Sequence, residues 1–232
     1  MARALLLDAL GTLVQLEPPA PALRRELRDR FGIEVTEDEA ATALAAEIRY
    51  YRAHLDLGRD EASLAALRRR CAEALRSALP RSEATERVGI DALTSALLAS
   101  LRFTAFDDAA PAISIARGAG WRVVIASNWD VSLHRVLERL ELASRVDAIV
   151  TSAEVGARKP SPALFERALA LAHARPAEAL HVGDSIEEDV AGARASGIEP
   201  VLLARRPPSA IPPDVRIIAS LSELAPIVTR EP

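Results

Sequence analysis

Cysteine, lysine and asparagine each occur once in the 232 residues, as Cys71, Lys159 and Asn128. A single thiol can form neither an intrachain disulfide nor a thiolate metal cluster, so a cytoplasmic setting is the expectation. Long apolar runs are missing as well. The opening MARALLLDALGTL is interrupted by Asp8 and a Gly-Thr turn. It reads as neither a signal peptide nor a membrane span, and no uninterrupted apolar stretch reaches roughly 18 residues. An excess of one charge is also lacking. Basic residues number 29 and acidic ones 33, for a net charge of −4. That balance argues against a nucleic-acid partner held by a broad basic face. What is present is ordinary for a folded chain: 50% hydrophobic and 27% charged residues exclude disorder and fibrous structure. The length suits one domain with an insertion, or two modest domains.

The lysine count carries a second message. Of the 29 basic residues 28 are arginine, the default cation of this Ala-, Arg- and Leu-rich chain. A position that keeps Lys is a candidate for needing a compact ammonium instead of a planar fork.

Along the chain the pattern changes twice. Ala4-Leu5-Leu6-Leu7-Asp8 reads as a short strand buried on both faces and stopped by Gly11. From Pro18 to Leu101 apolar residues recur at helical spacing with no convincing strand. Breaks at Gly32, Gly58, Pro80 and Gly89 divide this stretch into about four helices. Thr36 and Glu39 are spaced as a capping box. The run Arg68-Arg69-Arg70 shares the region with many acidic residues and reads as a solvated helix face.

Past Asp108 the rhythm becomes strand and helix in alternation. Strands are expected at 121–126, 146–150, 179–182, 199–203 and 216–218, and helices at 133–140, 163–172 and 189–195. Apolar strands separated by helices of this length mean a parallel sheet with right-handed crossovers. The fold class is therefore α/β, a doubly wound, Rossmann-like parallel sheet with an inserted all-α domain. Residues 1–15 and 104–232 form the core, and residues 16–103 form the insertion. Pro207-Pro208 and Pro212-Pro213 mark a connecting loop.

In an open parallel sheet the site lies outside the carboxyl ends of the strands. Here those ends carry Asp8, then Ser127-Asn128, then Gly183-Asp184-Ser185 followed by Glu187, Glu188 and Asp189, with Lys159 in a nearby loop. Clustered carboxylates repel unless a divalent cation sits among them, and oxygen-only ligands suggest Mg2+. A hydroxyl, an ammonium, backbone N–H groups and Mg2+ together suit a phosphoryl group. Each residue alone has a bland reading: Asp8, Asp184 and Asp189 as turn formers or helix-capping acids, Ser127-Asn128 as a turn, Lys159 as a surface cation. Their joint occurrence at successive strand ends is what the bland reading does not supply.

The motifs resemble those of the haloacid dehalogenase (HAD) superfamily of hydrolases. LLLDALGTL carries Asp8 and Thr12, VVIASN carries Ser127, GARKPSPALF carries Lys159, and HVGDSIEEDVAGA carries Asp184 and Asp189. With the helical insertion they account for essentially the whole chain. The resemblance implies an aspartyl nucleophile at Asp8 that forms a phospho-aspartate. It implies Mg2+ held by Asp8, the backbone carbonyl of Leu10 and Asp184, with Asp189 behind them. Thr12, Ser127, Asn128 and Lys159 would bind and orient the phosphoryl group of a small phosphorylated substrate. The insertion would be a cap that closes over the site.

One position departs from the pattern. Phosphatases of this family carry a second Asp two residues after the nucleophile, as the proton-transfer group, and here that residue is Leu10. The expected Mg2+ ligand survives, because it is a carbonyl. Three readings follow: a Mg2+-dependent phosphatase of altered efficiency, a non-catalytic protein that binds a phosphorylated ligand or a partner, and a haloacid dehalogenase. The third fits poorly with Gly183-Asp184, and a Schiff-base mechanism fails because the insertion has no lysine. Asp130 and His54 are candidate substitutes for the missing acid. His181 and Cys71 read as buried core, and Trp129 as either a lid residue or packing.

Overall fold

The structure, a computed structural model, describes residues 3–206 and 214–229. The proline pairs at 207–208 and 212–213 lie outside the described residues. The chain divides into two units, Met1–Gln15 with Ala105–Pro232, and Leu16–Thr104.

The first unit is built on a parallel sheet. Its strands are β1 (Ala4–Leu7), β4 (Arg122–Ser127), β5 (Ala148–Thr151), β6 (Ala179–Gly183), β7 (Glu199–Leu203) and β8 (Arg216–Ile218), in the order β5-β4-β1-β6-β7-β8. β1 is therefore central, with Leu7 level with Ile125 on one side and Val182 on the other. Both faces of β1 are buried, which is why the sequence there is unbroken Ala-Leu-Leu-Leu instead of alternating. The chain winds outward through β4 and β5, then crosses to β6 on the opposite side. The strand order thus reverses beside β1, the place where a crevice opens at the carboxyl ends.

Helices α6 (Ala109–Gly118), α7 (Leu133–Arg139), α8 (Ser152–Val155), α9 (Pro162–Ala172), α10 (Ala191–Ala195) and α11 (Ala225–Val228) complete the unit. α9 buries Leu164, Phe165, Ala168 and Ala172 in one core with Leu6, Val124 and Ala126. Where a regular helix was expected from Asp189, a wide turn over Ile186–Val190 comes first and α10 begins only at Ala191. At the start of the turn Ser185 N–H donates to the Asp189 carboxylate.

The second unit is helical: α1 (Pro19–Phe31), α2 (Glu37–His54), α3 (Glu61–Ala78), α4 (Glu83–Arg87) and α5 (Ile90–Ser100). Five helices occur where about four were expected, because the short segment between Pro80 and Gly89 forms α4, capped by Ser82. Leu23, Leu27, Leu44, Leu67, Leu75, Leu93 and Leu97 form its core. Thr36 and Glu39 make the expected capping box. The chain passes into and out of this unit through two three-residue strands, β2 (Val14–Leu16) and β3 (Phe103–Ala105), which pair as a separate ribbon. Among the described residues no helix is long and apolar enough to cross a membrane.

Candidate active site

β1 ends at Leu7, so Asp8 is the first residue beyond the ladder. Its N–H still donates to Val182 O at 2.9 Å, which fixes where the side chain leaves the sheet. A tight turn follows. Ala9 O accepts the N–H groups of Thr12, Leu13 and Val14, and Gly11 N–H donates to Val14 O at 2.8 Å. Gly11 has φ +84°, and a Cβ there would collide with the Asp184 carboxylate. Backbone conformation and close approach both require glycine at that position.

Asp8 Oδ1 accepts Ser127 Oγ at 3.0 Å and Lys159 Nζ at 2.6 Å. Among the described residues no side chain donates to its Oδ2. Lys159 is 1% exposed, far from the surface cation that its residue type alone suggests. Its Nζ also donates to Asp189 Oδ1 at 2.6 Å, and that same oxygen receives His181 Nε2 at 2.8 Å. Asp189 Oδ2 accepts Ser185 N–H at 3.0 Å. Lys159 is delivered by its backbone: its N–H donates to Asn128 Oδ1 at 2.7 Å, while Asn128 Nδ2 donates to Lys159 O at 3.0 Å. The same Nδ2 lies 3.0 Å from Glu188 Oε2. The single asparagine therefore braces the single lysine. α10 packs close behind this loop, and a Cβ on Gly192 would stand 2.6 Å from Phe165 and 3.0 Å from Pro160 Cα.

The electrostatics follow from this geometry. Burial alone would discharge Lys159, but the carboxylates of Asp189 and Asp8 overcome it and hold the ammonium above its ordinary range. Burial would likewise raise Asp189, and Lys159 with His181 reverses the sign and keeps it well below the usual carboxylate range. Burial pushes Asp8 up, against the pull of Lys159. Partial burial, then the charges of Asp8 and Asp189, push Asp184 up to about 7.

Asp8, Asp184 and Asp189 each offer a carboxylate oxygen, all within 4.8 Å of one another. Three carboxylates facing one ammonium make a site that a hard divalent cation would relieve, and the all-oxygen donor set suits Mg2+. Asp8 and Asp184 are the better placed ligands, since Asp189 already serves Lys159, His181 and Ser185.

The other expected residues fall as follows. Thr12 is fully buried, with its hydroxyl unpartnered among the described residues. Asn128 reaches the site through Lys159, with both ends of its amide committed. Asp130 is buried and accepts Ser132 N–H at 2.7 Å, shaping the turn into α7. His54 belongs to the helical unit, where its ring stacks on Tyr50 and Nδ1 meets Tyr50 O at 2.8 Å. Trp129 is buried, and Cys71 is buried as expected. His181 is more than core, because it holds Asp189 in place. Its signal was a lone polar residue in the buried strand Ala-Leu-His-Val-Gly.

The parallel sheet thus brings Asp8, from the end of its central strand, together with the buried Lys159 and the carboxylates of Asp184 and Asp189. Residues 2–197 match the family model described as haloacid dehalogenase-like hydrolase, and the chain belongs to that family. It is 37% identical over 127 residues to the human haloacid dehalogenase-like hydrolase domain-containing protein 3, covering 52% of this chain and 50% of that one. It is 37% identical over 113 residues to the ribulose-1,5-bisphosphate 5-phosphatase of Halopiger xanaduensis, covering 48% and 46%. The chain spans about half the length of the curated relatives it matches. The fold is shared over nearly its whole length with a HAD phosphatase from Thermococcus onnurineus, with TM-score 0.66, 23% identity and 97% of each chain covered.

Proposed function

We propose that the protein is a Mg2+-dependent phosphatase that hydrolyses a small phosphorylated substrate through an aspartyl-phosphate at Asp8. The observation that carries this reading is the state of the Asp8 carboxylate. Oδ1 is pinned by Ser127 and Lys159, and Oδ2 is left to attack. In-line attack of Oδ2 on phosphorus forms the phospho-aspartate as the ester oxygen leaves with its electron pair. Water then attacks the same phosphorus, releasing inorganic phosphate and restoring Asp8. Ser127 and Lys159 would orient and neutralise the phosphoryl oxygens. The unpartnered Thr12 hydroxyl would gain in them the acceptor it lacks. Mg2+ bound by Asp8, the Leu10 carbonyl and Asp184, with Asp189 supporting, would neutralise charge on the transferring group. The helical unit would serve as the cap, and the similarity to the ribulose-1,5-bisphosphate 5-phosphatase of Halopiger xanaduensis supports a small phosphorylated substrate.

A panel of phosphorylated metabolites assayed with Mg2+, beside Asp8→Asn, tests the proposal. Turnover by the wild type and its loss in the variant are expected. Activity that persists in Asp8→Asn would remove Asp8 from its role.

One observation favours a second reading. Leu10 is 40% exposed where a proton-transfer group belongs, which suits a member that binds phosphorylated ligands without turnover. Stabilisation by phosphate and Mg2+, with no hydrolysis across the panel, would select it.

A further inference from the structure

Arg205 stands just beyond β7, outside every motif that marks the site. Its guanidinium lies 3.6 Å from the centroid of the Phe106 ring and forks onto both oxygens of Asp108, at 2.9 and 2.8 Å. Its remaining reach goes into the nucleophile turn. Nη2 donates to Thr12 O at 2.8 Å and Nε donates to Gly11 O at 3.3 Å. Asp108 is itself fixed by Ser220 Oγ at 2.7 Å and Leu221 N–H at 2.9 Å. The side chains of Arg205 and Asp108 are only 22% and 12% exposed, so the pair is not a loose surface contact.

The consequence lies in what the turn can do for itself. Its internal hydrogen bonds end on the carbonyls of Ala9 and Val14. Those of Gly11 and Thr12 are instead met by Arg205. Gly11 is also the residue whose Cα lies against the Asp184 carboxylate, too close for any Cβ. Moving the carbonyls of residues 11 and 12 therefore changes the spacing between Asp8, the Leu10 carbonyl and Asp184.

We propose that Arg205 is a positioning residue of the catalytic crevice. Braced by Phe106 and Asp108, it sets the nucleophile turn so that Asp8 and the Leu10 carbonyl face Asp184 at a fixed separation. The catalytic part rests on the Mg2+-phosphatase reading, whereas the hold on the turn does not. Arginine is needed because one planar fork must meet a carboxylate and two carbonyls together, which an ammonium cannot span.

The test uses the full chain as wild type, Arg205→Met and Arg205→Lys. Arg122→Met is the control, since it breaks the 2.8 Å pair with Asp147 at the start of β4, the opposite end of the sheet. Three quantities are measured: hydrogen exchange over residues 8–14 without metal, Mg2+ affinity by calorimetry, and kcat and KM with an aryl phosphate. Arg205→Met should speed exchange over 8–14 about tenfold. It should weaken Mg2+ binding and lower kcat by roughly 10- to 100-fold, with KM changed less than about threefold. Arg205→Lys should fall between wild type and Arg205→Met, and it remains informative if the methionine variant does not fold. Arg122→Met should lose thermal stability and leave all three quantities unchanged. The proposal is overturned if exchange over 8–14 in the Arg205 variants matches that of Arg122→Met. It is overturned equally if that exchange rises while Mg2+ affinity and kcat do not fall. A wild type that neither binds Mg2+ nor hydrolyses any phosphate ester would sink the phosphatase reading and the catalytic part with it. Exchange over 8–14 would then still decide whether Arg205 holds the turn.

Discussion

The two units treat buried charge in opposite ways. In the sheet unit Asp8, Lys159, Asp189 and His181 are all buried, and they answer one another at 2.6 to 2.8 Å. In the helical unit Glu47 is buried on α2 with no cation beside it among the described residues, and its partner is the Cys71 thiol on α3. The described ion pairs of that unit, such as Arg69 with Asp91 and Arg87 with Glu83, lie on its surface. Keeping a charge inside requires donors brought from several strands and loops, at a desolvation cost that geometry must offset. Where no such geometry exists, burial raises the pKa of the acid, as it does for Glu47. The first arrangement keeps its charges inside by pairing them, and the second leaves a single carboxyl among apolar neighbours.

The largest expected effect concerns the one gap in the charged arrangement. Leu10 offers no proton to a leaving oxygen. An aryl or acyl phosphate expels a stable anion, whereas an alkyl or sugar phosphate expels a basic alkoxide that needs protonation in the transition state. The wild type should therefore hydrolyse aryl or acyl phosphates measurably and sugar phosphates poorly. Leu10→Asp should raise alkyl-ester turnover by roughly 10²- to 10⁴-fold, and aryl-ester turnover by less. A rapid-quench time course with an aryl substrate should show a burst followed by slow steady turnover in the wild type. Brisk sugar-phosphate hydrolysis by the wild type, with no gain in Leu10→Asp, would mean that another group supplies the proton.

Removing the cation from the network should cost next most. Lys159→Met leaves Asp8 and Asp189 buried without the ammonium between them, a loss of about 3–5 kcal/mol. Adding Asp8→Asn to that variant should restore part of the stability, because one of the two repelling carboxylates is then gone. Urea unfolding in the presence of a chelator measures both. A Lys159→Met protein as stable as the wild type would mean that the ammonium is not what permits the carboxylates to be buried.

Much of this was legible because the sequence repeats one device: an apolar strand followed at once by a polar residue. That pattern places Asp8, Ser127 and Asp184 at strand ends without any knowledge of their neighbours. Lys159 stood out through composition alone. What could not be read is how side chains meet across the fold. Asn128 binds the Lys159 backbone, 31 residues away, so its bracing role is set by where two loops converge. His181 meets Asp189 across a wide turn over Ile186–Val190, and local helical spacing gives no warning of that turn. Strands β2 and β3 have three residues each, too few for any period to declare itself. Arg205 was invisible among 28 arginines, since only its meeting with Gly11, Thr12 and Asp108 distinguishes it.

The smallest effect sharpens the contrast from the helical side. Burial pushes Glu47 up to about 7, against a weak opposing hydrogen bond from Cys71. In the unfolded chain the same carboxyl titrates near its ordinary value of 4.5. Below that value both states hold the proton, and the group places no penalty on folding. Between about 4.5 and 7 the unfolded chain releases its proton while the native protein keeps it, so stability falls as the pH rises. Above about 7 both states are ionised and the loss is complete, at most on the order of 3 kcal/mol. Glu47→Gln keeps the shape and a polar partner for Cys71 without the titration. The stability of this variant relative to the wild type should therefore rise between pH 5 and pH 8 by about 2–3 kcal/mol. Urea unfolding of the two proteins at both pH values isolates the contribution, because every other group cancels in the difference. An unchanged difference would show that Glu47 is charged in the native protein throughout that range. The helical unit would then hold a buried charge as the sheet unit does.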